Sequence, residues 1–353
     1  MKKCTLQDIA QRAGVSKTIV SYVVNDKPDG YGNVTVRPEL RARIKAMAEE
    51  MHYRPHRSAR SLSTGNSNLI GILSAHSEYT FSLEKTYEVC EGIMARNYDY
   101  ILQEIDYAHY ERLEKALDLF FDYNVSGMVL VSLSPSFVRP DDMKKLENSG
   151  LPVVDASGAP NGRFPCVRTD YYDAFFRMAT AVIEKGCREI YVVTAETYKR
   201  YPNLYARVEG VTAACAGAAQ CTVFAGSREK KISDVEAGYQ ITADMLSSAR
   251  PDAILYSNDY HAFGGLKAIH EKGLRVPDDL LVCGFDGSEI SRFTVPPITT
   301  AVQPVGRIAH KSVDLLFDIL AGKAELNQAD YKIPCEIIYR ESTGDPGKSD
   351  FAS

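Results

Sequence analysis

The feature that most constrains the fold is a repeated alternation of short β-rich runs with helical patterns, which begins at Asn68. The runs that we interpret as strands are Leu69 to Leu73, Tyr100 to Gln103, Gly127 to Val131, Pro152 to Val154, Glu189 to Thr194, Cys221 to Ala225, Ala253 to Ser257 and Leu281 to Phe285. Strands separated by helices form parallel, doubly wound sheets, because parallel neighbours need a crossover connection. Since residues 69–353 would make a large single core, the sequence predicts two α/β lobes.

Polar side chains follow two of the predicted strands. Asn258 and Asp259 come directly after one run, and Asp286 follows the next. Ligands of doubly wound sheets bind outside the carboxyl ends of the strands. These three residues are therefore candidates for a ligand site.

The predicted body lacks the short motifs of common enzymes. A dinucleotide-binding enzyme needs G-x-G-x-x-G after its first strand, where this chain has Ser74-Ala75-His76-Ser77-Glu78. The sequence contains no P-loop, no HExxH and no GxSxG motif, and its seven His residues form no ligand-spaced cluster. We therefore expect a binding protein rather than an enzyme, with no cofactor and no metal site.

The cysteines and the apolar runs suit a cytoplasmic protein. Eight cysteines are scattered without a CxxC pair, which is typical of reduced core residues. They are Cys4, Cys90, Cys166, Cys187, Cys215, Cys221, Cys283 and Cys335. No apolar run approaches the roughly 20 residues that span a bilayer, and the N-terminus has no signal-peptide core. We expect no membrane partner.

Charge is divided unevenly along the chain. Residues 1–65 carry 12 Lys and Arg against 6 Asp and Glu, a net +6, whereas the whole chain carries −5. The rest of the chain therefore carries −11. A basic module on an acidic body is typical of a nucleic-acid reader joined to a sensing domain, although a solvated basic surface would show the same charge.

Residues 5–25 have the pattern of two short helices. Thr5 can cap a first helix from Leu6 to Ala13, with a carboxylate three residues after the cap to complete a capping box. Gly14 can adopt the left-handed conformation that ends this helix, and Ser16 can cap a second helix that runs through Asn25. The pattern fits a helix-turn-helix or an ordinary helical hairpin.

The second helix favours DNA binding, because its exposed face carries side chains that can reach base edges and phosphates. These side chains are Lys17, Thr18, Ser21 and Tyr22. A third helix begins at Pro38. Its apolar stripe comprises Leu40, Ile44, Met47, Ala48 and Met51, and its outer face carries Arg41, Arg43 and Lys45.

Two segments around the third helix lack a helical pattern. The loop from Asp26 to Val36 is rich in turn residues and can either contact phosphates through Lys27 or have no role. Residues 53–68 are basic and polar, with Leu62 as their only aliphatic side chain larger than alanine. Composition alone favours a flexible tether for this segment.

Together these motifs resemble the lactose/galactose repressor (LacI/GalR) family of transcription regulators. The resemblance rests on the run from Thr5 to Asn25, on Tyr53-Arg54-Pro55 and Ala59-Arg60-Ser61-Leu62, and on Pro296-Pro297-Ile298-Thr299-Thr300. It implies a headpiece over residues 1–52, a hinge over 53–67, a two-lobed body similar to periplasmic sugar-binding proteins over 68–343, and a polar tail over 344–353.

The resemblance implies a set of DNA-binding residues. In this family the second helix reads the major groove, which makes Lys17, Thr18 and Tyr22 the expected base-reading residues. Ser58 to Ser63 would form a hinge helix on DNA, with Leu62 wedged into the minor groove to kink the duplex. The full expected set is Thr5, Ser16, Lys17, Thr18, Ser21, Tyr22, Asn25, Arg57, Ser58, Arg60 and Leu62.

The resemblance also implies an effector site between the lobes. Arg207, Asn258 and Asp286 match ligand-contacting positions, and Asp170 and Phe81 match them more loosely. This set suits a sugar, although a purine or nucleoside corepressor would use the same groups. Each polar member can instead be a helix N-cap or a satisfied loop residue.

The expected function is that of a sequence-specific DNA-binding repressor in the cytoplasm, at the nucleoid. A small-molecule effector, expected to be a sugar, would control operator affinity from the cleft. We expect a homodimer on a pseudo-palindromic operator, since the ten residues after Thr343 contain no leucine heptad for a tetramer. A non-regulatory sugar-binding protein is the alternative, and the basic headpiece argues against it.

Overall fold

The computed structural model describes residues 4–25, 34–53, 67–75, 80–105, 111–133, 140–158, 162–226, 232–325, 327 and 329–345. The chain divides into two compact units, the first comprising Met1–Leu69 with Phe121–Ser126 and the second the rest. Several predicted features lie outside the described residues: Lys27 and most of its loop, the hinge residues Arg57, Ser58, Arg60 and Leu62, and the tail after Asp345.

Three helices form the first unit and begin where the sequence predicts, although the second ends at Val24, one residue before the predicted Asn25. They are α1 (Leu6–Ala13), α2 (Lys17–Val24) and α3 (Pro38–Glu50). The predicted capping box is present, since the Thr5 hydroxyl accepts from the Asp8 amide and the Asp8 carboxylate accepts from the Thr5 amide. Gly14 ends α1 with a φ of 68°, a left-handed conformation that glycine adopts without strain.

The core of the first unit lies where the three helices meet. Its buried side chains are Ile9, Ala10, Ala13, Val20, Tyr22, Val23, Val36, Ile44 and Ala48. Two polar contacts join α3 to α1: Arg12 pairs with Glu50 at 2.6 Å, and Arg43 donates a hydrogen bond of 2.8 Å to the Ala13 carbonyl oxygen. Arg43, predicted on the outer face, thus also helps to fix the helix packing.

The second unit contains two six-stranded sheets. The strands are β1 (Leu69–Ala75), β2 (Asp99–Ile105), β3 (Gly127–Val131), β4 (Val153–Ala156), β5 (Cys166–Thr169), β6 (Glu189–Ala195), β7 (Gln220–Gly226), β8 (Ala253–Tyr256), β9 (Leu281–Asp286), β10 (Thr299–Val302), β11 (Asp330–Ile333) and β12 (Glu336–Ile338). The first lobe has the strand order β11-β5-β4-β3-β1-β2, and the second has β12-β10-β9-β8-β6-β7.

The strand pairing confirms the predicted parallel, doubly wound sheets. In the first lobe β1, β3, β4, β5 and β11 pair in parallel, and in the second lobe β7, β6, β8, β9 and β10 do so. The edge strand β12 pairs antiparallel with β10. Four strands of three or four residues each, β5, β10, β11 and β12, were not predicted.

Helices connect and flank the strands. They are α4 (Thr80–Met94), α5 (Glu111–Asp122), α6 (Pro140–Asn148), α7 (Tyr171–Glu184), α8 (Pro202–Cys215), α9 (Asp234–Ser248), α10 (Asp259–Glu271), α11 (Ile290–Phe293) and α12 (Val305–Leu320). Short 3₁₀ turns occupy Glu196–Arg200 and Glu341–Thr343. Among the residues described, no helix combines the length and the apolar character needed to cross a membrane.

The described chain passes between the lobes three times. After β5 of the first lobe, α7 packs into the core of the second lobe. After β10 of the second lobe, α12 packs into the core of the first lobe. The third crossing joins β11 of the first lobe to β12 of the second lobe. These three segments connect the two lobes.

Candidate nucleic-acid interface and ligand cleft

Helix α2 presents polar side chains around an open recess in the surface of the first unit. The recess has a volume of about 290 Å³ and is lined by Leu6, Lys17, Thr18, Ser21 and Tyr22. Lys17 and Thr18 are exposed, and Ser21 is half-buried. An ammonium and two hydroxyls on one helix surface can donate to and accept from base edges and phosphates.

The side chain of Tyr22 lies in a different place from the one that we predicted. We expected its side chain on the exposed face of α2, which is wrong, because the residue is 5% exposed and its ring belongs to the core. Helix α2 packs against both α1 and α3, so the buried arc of the helix is wider than one apolar stripe. The Arg41 guanidinium lies 5.7 Å from the centre of the Tyr22 ring. Tyr22 therefore shapes the recess as part of the core.

Three other predicted DNA-binding residues take part in helix capping. The Thr5 hydroxyl donates a hydrogen bond of 2.7 Å to the Asp8 carboxylate. The Ser16 hydroxyl accepts a hydrogen bond of 3.4 Å from the Ile19 amide, and the Asn25 side-chain amide donates one of 2.7 Å to the Ser21 carbonyl oxygen. Capping alone explains why these side chains occupy the helix ends.

In the second unit, the carboxyl ends of the two sheets face each other. The hydroxyl of Thr169, the last residue of β5, donates a hydrogen bond of 3.0 Å to the side-chain oxygen of Gln303. The Gln303 side-chain amide donates one of 2.7 Å to the carboxylate of Asp286, the last residue of β9. All three residues are buried. These hydrogen bonds thus connect the predicted ligand edges of the two sheets.

Asp286 has the environment of a functional carboxyl group. Its backbone φ is 110°, a left-handed value that is uncommon for a residue with a side chain, and the residue is 9% exposed. Burial raises the pKa of Asp286 to about 7, against the opposing effect of the nearby Arg207 guanidinium. A carboxyl group poised in this way can donate or accept a hydrogen bond near neutral pH.

Asp259, a candidate from its place after β8, has a structural role. It is 0% exposed and accepts hydrogen bonds from the Thr300 hydroxyl at 2.7 Å and from the amide and hydroxyl of Ser288 at 2.7 and 2.9 Å. Burial raises the pKa of Asp259 to about 6. Its contacts with Ser288 hold the loop that follows Asp286, so Asp259 helps to position Asp286.

Arg207 lies inside the second lobe among aromatic rings. The residue is 7% exposed, and its guanidinium carbon lies 4.3 Å from the ring centre of Phe285 and 4.8 Å from that of Tyr171. The guanidinium donates a hydrogen bond to the Ser257 carbonyl oxygen. Its buried Nε has no hydrogen-bond partner among the described residues, which leaves a donor for a ligand.

The three remaining predicted effector residues lie at or near the N-termini of helices. Asn258 caps α10, since its side-chain oxygen accepts from the His261 amide at 2.7 Å, and its amide donates to Asp234 at 2.8 Å. Asp170 caps α7 by accepting a hydrogen bond of 3.2 Å from the Asp173 amide. Phe81 lies half-buried in the first turn of α4. Helix capping thus accounts for Asn258 and Asp170.

A buried Ser-His-carboxylate grouping lies beside Asn258. The Ser257 hydroxyl is 2.9 Å from His261 Nδ1, and His261 Nε2 is 3.9 Å from the Asp234 carboxylate. Ser257 and His261 are each 3% exposed, so substrate has no access to the hydroxyl as a nucleophile. Among the described residues, no cluster of three or more His, Cys, Asp or Glu side chains could hold a metal ion.

Gln303 and Lys85 were not predicted as site residues, although both contact residues at the carboxyl ends of strands. Gln303 follows β10, and a polar residue after a strand would have been nominated if that strand had been recognised. Lys85 lies in α4 and donates a hydrogen bond of 3.0 Å to the carbonyl oxygen of Ala156, the last residue of β4. Nothing in the local sequence distinguishes Lys85 from an exposed helical lysine.

Comparison with known proteins identifies both units. The family of bacterial regulatory proteins described as lacI family matches residues 5–56, and the periplasmic binding protein-like domain matches residues 179–343. The HTH-type transcriptional repressor PurR of Pasteurella multocida (strain Pm70) is 27% identical over 341 residues, covering 96% of this chain and 98% of that protein. PurR of Mannheimia succiniciproducens is 28% identical over 346 residues, with coverage of 96% and 98%.

Solved structures agree in fold over nearly the whole chain. The crystal structure of the Lac repressor dimer bound to operator and the anti-inducer ONPF has a TM-score of 0.80 at 24% sequence identity, covering 97% of this chain and 99% of that chain. The CelR–cellobiose complex has a TM-score of 0.66 at 22% identity, with coverage of 96% and 99%. The chain therefore belongs to the lacI family of bacterial regulatory proteins, DNA-binding transcriptional repressors with a periplasmic-binding-protein-like ligand domain.

Proposed function

We propose that the chain represses transcription as a homodimer on a pseudo-palindromic operator and that a small molecule in the interlobe cleft changes its operator affinity. The observation that carries the proposal is the hydrogen-bonded series of Thr169, Gln303 and Asp286. This series joins Asp286, a candidate ligand residue, to Thr169 and Gln303, which lie at two of the crossings between the lobes. A ligand at Asp286 that binds one lobe arrangement more tightly shifts the equilibrium toward that arrangement.

A sugar is the effector that we propose. The Asp286 carboxyl and the Arg207 guanidinium are buried and can hydrogen-bond neighbouring hydroxyls. Among structures of similar fold, CelR is in complex with cellobiose, and a LacI family regulator of Enterococcus faecium has bound ribose. A purine is the second candidate, because the same two groups can hydrogen-bond its polar edge.

Lys17 and Thr18 are the residues that we propose as base readers, with Ser21 and Tyr22 completing the recess on α2. Thr5, Ser16 and Asn25 are proposed to contact DNA from the helix ends. We retain Arg57, Ser58, Arg60 and Leu62 as hinge contacts, a proposal that rests on the sequence resemblance. Lys17, with its exposed ammonium, is the strongest of these candidates because it can donate to guanine or to phosphate.

An exposed apolar face on the second lobe supports a homodimer. Phe263 of α10 is 40% exposed, Phe293 of α11 is 61% exposed and Val295 is 94% exposed. Helices α10 and α11 contact each other, so these side chains belong to neighbouring elements. We propose that a second copy of the chain covers this face, because two half-sites require two linked headpieces.

Three measurements test the proposed function. The full-length protein selects duplexes from a random library, and we expect enrichment of sequences with inverted repeats. Thermal stabilisation by sugars and purines then identifies an effector, since a ligand at 100 times its dissociation constant adds about 2.7 kcal/mol. Calorimetric titration with and without operator should give different effector affinities in wild type and no response in Asp286→Ala. Equal affinities with and without operator would contradict the coupling.

A further inference from the structure

A lysine side chain is buried at the cleft edge of the first lobe. Lys85 of α4 is 3% exposed, and its ammonium donates a hydrogen bond of 3.0 Å to the Ala156 carbonyl oxygen. Lysine is among the residues least often buried, because removing its charge from water is costly. The burial of Lys85 therefore calls for a compensating interaction.

The contact with Ala156 places Lys85 on the side of the first lobe that faces the second. Ala156 ends β4, and β4 is parallel to β5, which ends at Thr169. The carboxyl ends of parallel strands lie at one edge of a sheet, and Thr169 connects this edge through Gln303 to Asp286. Lys85 and Asp286 thus lie at the carboxyl ends of the two sheets, which Thr169 and Gln303 connect.

Both lobes carry buried hydrogen-bond donors with unused capacity. An ammonium has three N–H donors, and the described hydrogen bonds of Lys85 use one of them. The hydroxyl of Ser157, directly after β4, and Nε of Arg207 on the second lobe are buried with no hydrogen-bond partner in the part of the chain that the structure describes. A buried unsatisfied donor costs about 1–3 kcal/mol, so a ligand with several acceptors would be stabilised here.

Two carboxyl groups lie near these buried donors, Asp155 near Lys85 and Asp286 near Arg207. Burial lowers the pKa of Lys85 to about 8, although the nearby Asp155 opposes the change, so the amine is mostly charged at pH 7. One oxygen of Asp155 already accepts a hydrogen bond of 2.8 Å from the Ser157 amide. Burial raises the pKa of Asp286 to about 7, so this carboxyl is partly neutral at that pH. The nearby Asp155 therefore offsets part of the charge on Lys85, whereas the Arg207 guanidinium faces a carboxyl group that is partly neutral.

We propose that the effector is a small hydroxylated molecule with an anionic group, either phosphate or carboxylate, and that Lys85 binds this group from the first lobe. The inference rests on the proposed effector function of the cleft and narrows its ligand to phosphorylated or acidic sugars. Arg207 contacts the same molecule from the second lobe. An anion that contacts cations of both lobes favours one arrangement of the lobes over others.

Thermal unfolding and calorimetry of the full-length protein test this inference with inorganic phosphate and with matched pairs of probes. The pairs are ribose and ribose 5-phosphate, glucose and glucose 6-phosphate, and glucose and gluconate. We expect saturable stabilisation by phosphate. We also expect the anionic member of one pair to bind at least about tenfold more tightly than its neutral partner, because a charge-assisted hydrogen bond contributes about this much affinity.

The decisive variant is Lys85→Met, which keeps the length of the side chain and removes its charge. It should lose both the phosphate stabilisation and the preference for the anionic probe. Lys145→Met is the matched control, because Lys145 lies in the same lobe on α6, is half-exposed and pairs with Asp118. If Lys85→Met unfolds because Asp155 loses its neighbouring cation, the charge-balanced double variant Lys85→Met with Asp155→Asn replaces it.

Three results would overturn the inference. They are neutral probes that bind wild type as tightly as their anionic partners, an anion preference that survives in the Lys85 variant, and an absence of stabilisation by phosphate and by every anionic probe. A neutral sugar or purine that still alters operator affinity would leave the proposed function intact while excluding the anionic effector. Loss of any small-molecule effect on operator affinity would contradict the proposed function itself.

Discussion

Gln303 donates a hydrogen bond of 2.7 Å from its side-chain amide to the carboxylate of Asp286, across a point where the chain passes between the lobes. The same side chain accepts a hydrogen bond of 3.0 Å from Thr169, at another crossing. Gln303 is 4% exposed, so both bonds are shielded from water. A change in the position or protonation of Asp286 therefore alters hydrogen bonds at two of the segments that connect the lobes.

Gln303→Met should weaken the response of operator affinity to the effector. Methionine has a similar volume but can form neither hydrogen bond, so Asp286 and Thr169 lose their connection. We expect operator binding without effector to stay close to wild type and the coupling between effector and operator to fall by about 1 kcal/mol or more. Fluorescence anisotropy of labelled operator at increasing effector concentration measures this coupling. Gln240→Met on the exposed side of α9 is the control, and equal coupling in both variants would exclude a role for Gln303.

Asp286→Asn should make the stability of the body less dependent on pH. The pKa of Asp286 in the fold, about 7, lies above its ordinary value of 3.8 because the group is buried. The stability associated with this group is therefore fully present below pH 3.8 and is lost as pH rises through 7. Asparagine is uncharged and can still accept from Gln303. We expect the variant to exceed wild type in stability at pH 8 by up to about 4 kcal/mol and by much less at pH 5.

Urea unfolding at the two pH values checks this prediction. Asp244→Asn is the matched control, because Asp244 is an exposed carboxylate of the same lobe. Buried Asp259, with a pKa of about 6, contributes a dependence of the same sign in both proteins. A difference between Asp286→Asn and wild type that is the same at pH 5 and pH 8 would show that the Asp286 carboxyl is not perturbed by the fold.

The parts of the fold that could be predicted are those with local signals. The cap at Thr5, the turn at Gly14 and the long strands are specified by neighbouring residues, and the structure has them at the expected positions. Lys85 and Gln303 could not be found in this way. Their burial depends on β4 and β5, which come from distant parts of the chain, and a lysine in an amphipathic helix ordinarily faces water. The sequence therefore indicates the strand ends at which the candidate site lies, whereas tertiary packing determines which side chains lie there.

Tyr22→Ala should destabilise the headpiece much more than Tyr22→Phe. The ring is 5% exposed and packs with the core, so its removal leaves a cavity worth about 3 kcal/mol or more. The hydroxyl can be removed without loss of packing. Thermal unfolding followed by circular dichroism separates the two variants. If Tyr22→Phe folds normally and binds operator like wild type, the residue acts through packing, and our expectation of a base contact from Tyr22 fails.

Lys17→Ala should reduce discrimination between operator and random DNA by about 1–3 kcal/mol, because a lysine that donates to a base edge contributes to one sequence only. Lys17 is exposed on α2 at the mouth of the recess, so its removal should leave the fold unchanged. Lys45→Ala, at an exposed position on α3, is the control, and any phosphate contact that it makes should weaken both duplexes alike. Anisotropy titrations with the selected operator and a scrambled duplex measure the difference. Equal losses on the two duplexes for Lys17→Ala would assign this residue to the phosphate backbone.

Phe293→Asp should convert the proposed dimer to monomer and lower operator affinity. Phe293 is 61% exposed on α11, so a carboxylate can replace it without disturbing the core, yet the charge would be buried and unpaired in a dimer. Since two linked headpieces bind a two-part operator far more tightly than one, loss of the dimer should weaken binding by about 10²-fold or more. Sedimentation velocity gives the oligomeric state and anisotropy gives the affinity.

Tyr172→Asp is the matched control, because Tyr172 is a 41% exposed aromatic residue on α7 of the same lobe. A dimer that persists in Phe293→Asp, or one that is lost equally in Tyr172→Asp, would place the interface on another face of the body.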